Sequence, residues 1–185
     1  PRESVTITLG STESSTTASE NSGIARFFAP SVLYWEADIL RWSAEWNLDP
    51  NLVATVMQIE SCGDPGAVSR AGAMGLFQVM PYHFTSTEAP YNPETNALRG
   101  MAYLQKALNT YQSDRLAFAS YNGGIGTAAK PEAYWPNETI RYTYWGTGIY
   151  QDALAGKQAS PRLEEWLGAG GASLCRQAAE RLGID

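Results

Sequence analysis

DPNLVATVMQIESCGDP, residues 49–65, carries its own start and stop signals. Asp49 can accept hydrogen bonds from the first backbone N–H groups of a helix. Pro50 behind it fits the first helical position, where its missing N–H would have had no partner anyway. Cys62-Gly63-Asp64-Pro65 closes the run, since glycine and proline end helices. Within the run Glu60 lies three residues after Met57, four after Val56 and seven after Val53, so it projects from the apolar face. Desolvation there disfavours the charged carboxylate, and so does the negative end of the helix macrodipole in the last turn; both raise the pKa. Such a glutamate keeps its proton near neutral pH and can give it to a leaving oxygen. It can equally be a buried carboxyl that accepts hydrogen bonds or pairs with an arginine, and periodicity does not choose between the two.

Outward from this helix the pattern stays helical. Trp35, Ile39, Trp42 and Trp46 recur at spacings of four, three and four and place one aromatic stripe on the helix before it. Residues 63–96 are rich in Gly, Pro, Ser and Thr and read as a loop-dominated cleft wall, with a short helix or small hairpin around GLFQVM. Ala97, Met101, Leu104, Leu108 and Tyr111 mark a third helix. Asp114 is positioned to cap a fourth, which Asn122-Gly123-Gly124 ends. A fifth begins near Pro136-Asn137-Glu138, and a last one follows Ser160-Pro161 and carries Leu174, Ala178 and Leu182. There is no internal repeat and no alternating strand pattern, so the expected fold is all-α with at most a small β element. Residues 1–23 are Ser/Thr/Glu-rich with almost no large apolar side chains and read as a flexible linker, leaving 24–185 as one domain.

Composition removes several function classes. The 185 residues hold 13 Lys and Arg against 19 Asp and Glu, a net charge of -6 without a basic cluster, so nucleic acid is not an expected partner. No apolar run approaches the ~20 residues that cross a bilayer. Two cysteines, Cys62 and Cys175, and one histidine, His83, give no metal-ligand set, and no cofactor is expected. If the cysteines pair, they close most of the domain, with a chain-entropy gain of roughly 4–5 kcal/mol, and imply an oxidising compartment. Two free buried thiols are the other possibility.

Three motifs add a resemblance. IESCGDPGAVSRAGAMGLFQVMP (59–81) resembles the Glu-Ser signature of the soluble lytic transglycosylase family, followed by its Gly-Leu-X-Gln-X-Met-Pro segment. ASYNGG (119–124) resembles the family's Ala-Tyr-Asn-Ala-Gly motif, and NETIRY (137–142) its Glu-Thr-X-X-Tyr motif. The resemblance implies a lysozyme-like helical domain with a glycan-binding groove. It also implies a peptidoglycan lytic transglycosylase in which Glu60 is the sole acid and base, forming a 1,6-anhydro sugar rather than adding water. By the same resemblance Ser69, Gln78, Met80, Tyr121, Asn122 and Glu138 bind the glycan, with Tyr121 able to position Glu60 and Tyr142 the least certain of the set. Cys62 bonded to Cys175 would tie the C-terminal helix to the catalytic one. Phe77 stands where methionine is common, and Ser120 and Gly123 alter neighbours of the Tyr-Asn pair; these are mild changes of volume.

For several residues a structural role is the simpler reading. Ser61 is expected to turn the helix end, and Gly75 and Gly123 to allow turns or close approach. Tyr134, Trp135, Tyr144 and Trp145 are expected to be core more than sugar platforms. His83 is given no function. Two other functions compete. One is a hydrolytic muramidase or chitinase-type enzyme, for which Asp64 and Glu138 are the candidate second carboxylates. The other is a wall-binding module without turnover. An exported monomer at the cell envelope or outside it, possibly tethered by the linker, is expected to act on glycan strands without a metal.

Overall fold

In the computed structural model, which describes residues 23–184, one turn of helix at Pro30–Leu33 (α1) leads into α2 (Glu36–Trp46) and α3 (Pro50–Glu60). The aromatic stripe turns inward: Trp35, Ile39 and Trp42 are buried, and Trp46 is half-buried. Asn47, left-handed at φ 49°, ends α2, a conformation that asparagine tolerates better than most residues. Asp49 then caps α3, its Oδ1 accepting from the N–H of Asn51 at 2.8 Å and of Leu52 at 3.3 Å. Leu52 to Gln58 are all buried, so α3 is enclosed on nearly every side.

The stretch between α3 and α4 (Pro93–Tyr111) is a loop wall. It contains a tight hairpin, in which Met74 and Val79 exchange both backbone hydrogen bonds at 3.0 Å, and a further antiparallel bridge between Val68 and Met74. A 3₁₀ turn follows at Pro81–His83. The third expected helix starts four residues earlier than its apolar pattern, because Asn92 caps it by accepting from Thr95 N–H at 3.1 Å and Pro93 takes the first position.

The cap of α5 (Asp114–Gly123) is Ser113 and not Asp114. A cap residue must stay outside the helix in extended conformation; Ser113 does so at φ -149°, ψ 120°, and Asp114 falls on the first turn, where the dipole favours it. A short α6 (Ile125–Ala128) precedes the long α7 (Asn137–Leu154). The expected single C-terminal helix is two, α8 (Pro161–Trp166) and α9 (Ala172–Leu182), separated by Leu167–Gly171. The cause is Gly170, whose φ of 125° no helix can contain.

Helix α3 packs against α1, α2 and α7, and α5 is held between α4 and α7. One continuous core reaches from Ile24 to Ala178, with a smaller cluster of Ala119, Ala128 and Trp135 beside it. Among the described residues there is no sheet, and no helix is long and apolar enough to cross a membrane. The architecture is all-α. The linker expectation for residues 1–23 lies, apart from Gly23, outside the described residues.

Candidate active site

Glu60 ends α3 where the helix meets a cleft. The protein side of the carboxyl is crowded and the cleft side stays partly open, so the residue is half-buried. Desolvation raises its pKa to about 8; the Tyr142 hydroxyl works against that shift, and the negative charge of Glu138 adds to it. Tyr142 is itself buried, and its hydroxyl makes no closed hydrogen bond among the described residues. The phenol expected to matter least is the one set against the carboxyl. Tyr121, expected to position Glu60, instead donates its hydroxyl to the Phe77 carbonyl at 2.8 Å and so braces the hairpin. Its place on α5 brings its ring to the groove, but the carbonyl of the hairpin reaches its hydroxyl first.

The hairpin is fastened to α3 and α4 from beneath. Ser61 is fully buried; its Oγ donates to Leu76 O at 2.7 Å and accepts from Gly63 N–H at 3.1 Å, leaving nothing for a substrate. Asn96, on α4, holds three loop backbone groups at once. Its Oδ1 accepts from Phe77 N–H at 2.8 Å, and its Nδ2 donates to Met74 O at 2.7 Å and Pro90 O at 2.9 Å. Nothing in the sequence around Asn96 marks it for this role. Gln78 is held left-handed at φ 47°, with its Nε2 donating to Gly75 O at 2.9 Å and Ala67 O at 3.2 Å, which leaves its Oε1 toward the groove. Ser69 Oγ accepts from Ala73 N–H at 2.9 Å, so its own hydrogen remains to be given.

On the opposite wall, Asn122 Oδ1 accepts from the buried Thr139 hydroxyl at 2.8 Å, and the amide N–H groups are left over. Helices α5 and α7 come this close because position 123 is glycine: a Cβ there would lie 2.7 Å from Thr139 Oγ1.

These residues line two adjoining hollows. Glu60, Ser69, Gln78, Asn122 and Glu138 line a cleft of about 640 Å³, together with Arg141, Tyr142, Trp145 and Ala169. Gln78 and Asn122 also border a second hollow of about 210 Å³ that contains Met80 and Tyr121. The two shared side chains join the hollows into one groove, and every residue chosen from the motifs lies along it. His83 sits in the wall of the second hollow, between Tyr82 and Tyr103 at ring distances of 4.6 and 5.5 Å.

The aromatic candidates divide. Trp135 is core, Tyr134 is exposed and Trp145 faces the Glu60 cleft. Asp64 is buried away from the groove, its Oδ1 ion-paired with Arg181 at 2.6 Å. Cys62 and Cys175 are joined as a disulfide with Cα atoms 5.0 Å apart. Among the described residues, no three His, Cys, Asp or Glu side chains gather in a way that could hold a metal ion.

Glu60 and the three motif segments fall, in order, within one known family pattern: the family model described as "Transglycosylase SLT domain" fits residues 38–143. The chain belongs to the transglycosylase SLT domain family. The matched part of this SLT domain includes Glu60 and ends just after Tyr142, so Trp145, Ala169, Cys175 and Arg181 lie beyond it. Over 108 residues the SLT domain chain is 43% identical to a transglycosylase of Enterobacteria phage PRD1, covering 55% of this chain and 40% of that protein. Over 113 residues it is 34% identical to membrane-bound lytic murein transglycosylase C of Edwardsiella ictaluri, covering 50% of this chain and 32% of that one. The chain thus spans less than half the length of these curated relatives. A solved structure of an inactive mutant of lytic transglycosylase Slt from Pseudomonas aeruginosa superposes with a TM-score of 0.47 at 20% identity, over 80% of this chain and 24% of the other.

Proposed function

We propose that this SLT domain chain is a peptidoglycan lytic transglycosylase that cleaves the β-1,4 bond after N-acetylmuramic acid, with Glu60 as its single general acid and base. The observation that carries the reading is a carboxyl on a groove floor whose pKa of about 8 comes from desolvation. Such a group is about nine-tenths protonated at pH 7, ready to give its proton to the glycosidic oxygen. Once ionised, it takes a proton back from the C6 hydroxyl of the same sugar, which attacks C1 and closes the 1,6-anhydro ring. Tyr142, whose hydroxyl lowers the Glu60 pKa, favours the ionised form and steadies it between the two transfers.

The remaining groove residues take binding roles suited to their free atoms. Asn122 offers amide N–H groups, Gln78 an amide oxygen and Ser69 a hydroxyl hydrogen to N-acetyl and hydroxyl groups. Met80 and Tyr121 present softer surface to sugar faces in the second hollow. Glu138 is exposed at the rim, where it helps orient the strand. A two-carboxylate hydrolysis has less support, since Asp64 is committed to Arg181 and Glu138 is open to solvent.

Residues 24–185 act in this proposal as the catalytic unit, with 1–23 as a linker. One chain supplies every group the reaction uses, and no metal enters it. The disulfide suits an oxidising compartment at the cell envelope, outside the cytoplasm. The test is mass spectrometry of muropeptides released from purified peptidoglycan by the wild type and by Glu60→Gln. Anhydro-muropeptides from the wild type alone support the proposal. Reducing-end products would shift the assignment to hydrolysis through Glu138, and equal absence of products from both would leave a wall-binding module.

A further inference from the structure

Glu138, Arg141, Tyr142 and Trp145 fall on α7 at the i, i+3, i+4, i+7 spacing of one helix face, and all four line the Glu60 cleft. Two of them, Arg141 and Trp145, carry donors without an acceptor. Arg141 is exposed and, like Arg70 and Arg176, makes no ion pair among the described residues; of these three it alone lines the cleft. Glu138 stands three residues before it, a spacing at which helical ion pairs form, and yet the pair is not made. Trp145 Nε1 is a buried atom with no hydrogen-bond partner among the described residues. A buried donor left alone costs about 1–3 kcal/mol, a cost that a ligand acceptor removes.

Arg141 and Trp145 are one helical turn apart, with Cβ atoms about 6 Å from each other. Both line the cleft, so a guanidinium and an indole N–H are offered from one wall, and a carboxylate has an oxygen for each. The Glu60 carboxyl, neutral below its pKa of about 8, does not compete for the guanidinium.

We propose that Arg141 and Trp145 form a carboxylate-recognising subsite beside Glu60 that takes an acid carried on the lactyl arm of muramic acid, so that strands bearing this anion are the preferred substrates. This assignment rests on the transglycosylase reading above. Trp145 lies beyond the matched SLT domain and Arg141 occupies one of the unspecified positions of the Glu-Thr-X-X-Tyr motif, so the subsite belongs to this chain. On strands stripped of peptide the acid is the lactyl carboxylate itself. On stem-bearing strands the lactyl carboxyl is an amide, and the nearest acid is a carboxylate of the stem.

The test uses soluble muramyl oligosaccharides, stripped or stem-bearing, each with its carboxyls free or converted to methylamides. Binding is followed by calorimetry in Glu60→Gln, where nothing turns over, and KM and kcat in the active enzyme. Arg141→Gln should weaken binding and raise KM roughly 10- to 100-fold on free-acid strands, with kcat changed far less. It should have no effect on methylamides, to which the parent already binds at the variant's level. Arg141→Lys should recover part of the loss, and Trp145→Phe should lose part. A loss on stripped strands assigns the lactyl carboxylate; a loss confined to stem-bearing strands assigns the stem acid. Equal losses on free-acid and methylamide strands, or none on either, would overturn the subsite. Should the wild type release no anhydro product while Glu60→Gln still distinguishes acid from methylamide through Arg141, the reaction is misassigned and the subsite stands.

Discussion

Replacing Glu60 with glutamine removes a titration while keeping shape and volume, and the pKa of about 8 sets the size of the effect. In the unfolded chain the carboxyl titrates near its ordinary value of 4.5. Between the two values the folded protein holds a proton that the unfolded chain has lost, so the free energy of unfolding falls as pH rises, by about 1.4 kcal/mol per unit. The stability associated with the protonated form is fully present below pH 4.5 and is lost as the pH climbs through 8. Glu60→Gln has no such loss. It should therefore match the wild type near pH 4.5, exceed it by about 3 kcal/mol at pH 7, and exceed it by about 5 kcal/mol above pH 8. Urea denaturation of both proteins at pH 5, 7 and 9, with constant slopes, measures this directly. Under the proposed reaction the same titration governs catalysis, and kcat should fall on the alkaline side with a midpoint near pH 8. A stability gap that does not widen with pH, or a glutamine variant less stable than the wild type at pH 9, would refute the claim that Glu60 is desolvated.

Three further outcomes follow from single contacts. Tyr142→Phe deletes the hydroxyl that holds the Glu60 pKa down, so the alkaline limb of the kcat profile should move upward by about 1–2 pH units, and a limb that stays in place or moves down would contradict the assignment. Asn96→Leu strands one N–H and two carbonyls of the hairpin wall and should cost about 3 kcal/mol or more in a urea titration while raising KM, because Gln78 is carried on that wall. Replacing Cys62 and Cys175 with alanine opens a loop with a sequence separation of 113 and should lower stability by roughly 4–5 kcal/mol; a thiol assay on the denatured, unreduced wild type should find no free thiol.

What the sequence discloses about this site depends on how far apart the interacting residues lie. Glu60 could be read because the cap, the apolar face and the helix end that define its environment all lie within one run of a dozen residues. Tyr142 could not be ranked correctly, since what distinguishes it is the carboxyl at the end of another helix, and local spacing holds no record of that. Asn96 looked like an ordinary polar residue in a first helical turn; its three partners come from a loop whose path only tertiary packing fixes. Ser113 and Asp114 are both good caps, and backbone conformation alone separates them. The break between α8 and α9, in contrast, was written locally in LGAGG at 167–171, where apolar periodicity on either side hid the glycines. The ion pair from Asp64 to Arg181 had no local signal of any kind, and without it Asp64 remained a candidate second carboxylate.

The one-carboxylate reaction proposed for Glu60 asks the same oxygen atoms to release a proton and later to receive one, so both the pKa and the position of the carboxyl must be held. The four residues after Glu60 show how position is held, for between them they are fixed to the hairpin, to α9 twice and to Trp35. Ser61 bonds to the hairpin at Leu76 O, Cys62 to α9 through Cys175, Gly63 O accepts from Trp35 Nε1 at 2.9 Å, and Asp64 pairs with Arg181 at 2.6 Å. Gln58, two residues before Glu60, is fully buried and accepts from Ala29 N–H at 3.0 Å while its amide nitrogen lies 3.0 Å from the Cys62 sulfur. Two of these anchors, Cys175 and Arg181, sit on α9, outside the matched family segment. The C-terminal helices thus extend the SLT domain in a particular way: they clamp the exit of α3 from behind the groove, where a shift of about 1 Å in the carboxyl would carry a large penalty in rate. It follows that a variant lacking both α9 anchors should lose more in kcat than in KM, because the groove walls that grip the strand are fastened independently, by Asn96 on one side and Thr139 on the other.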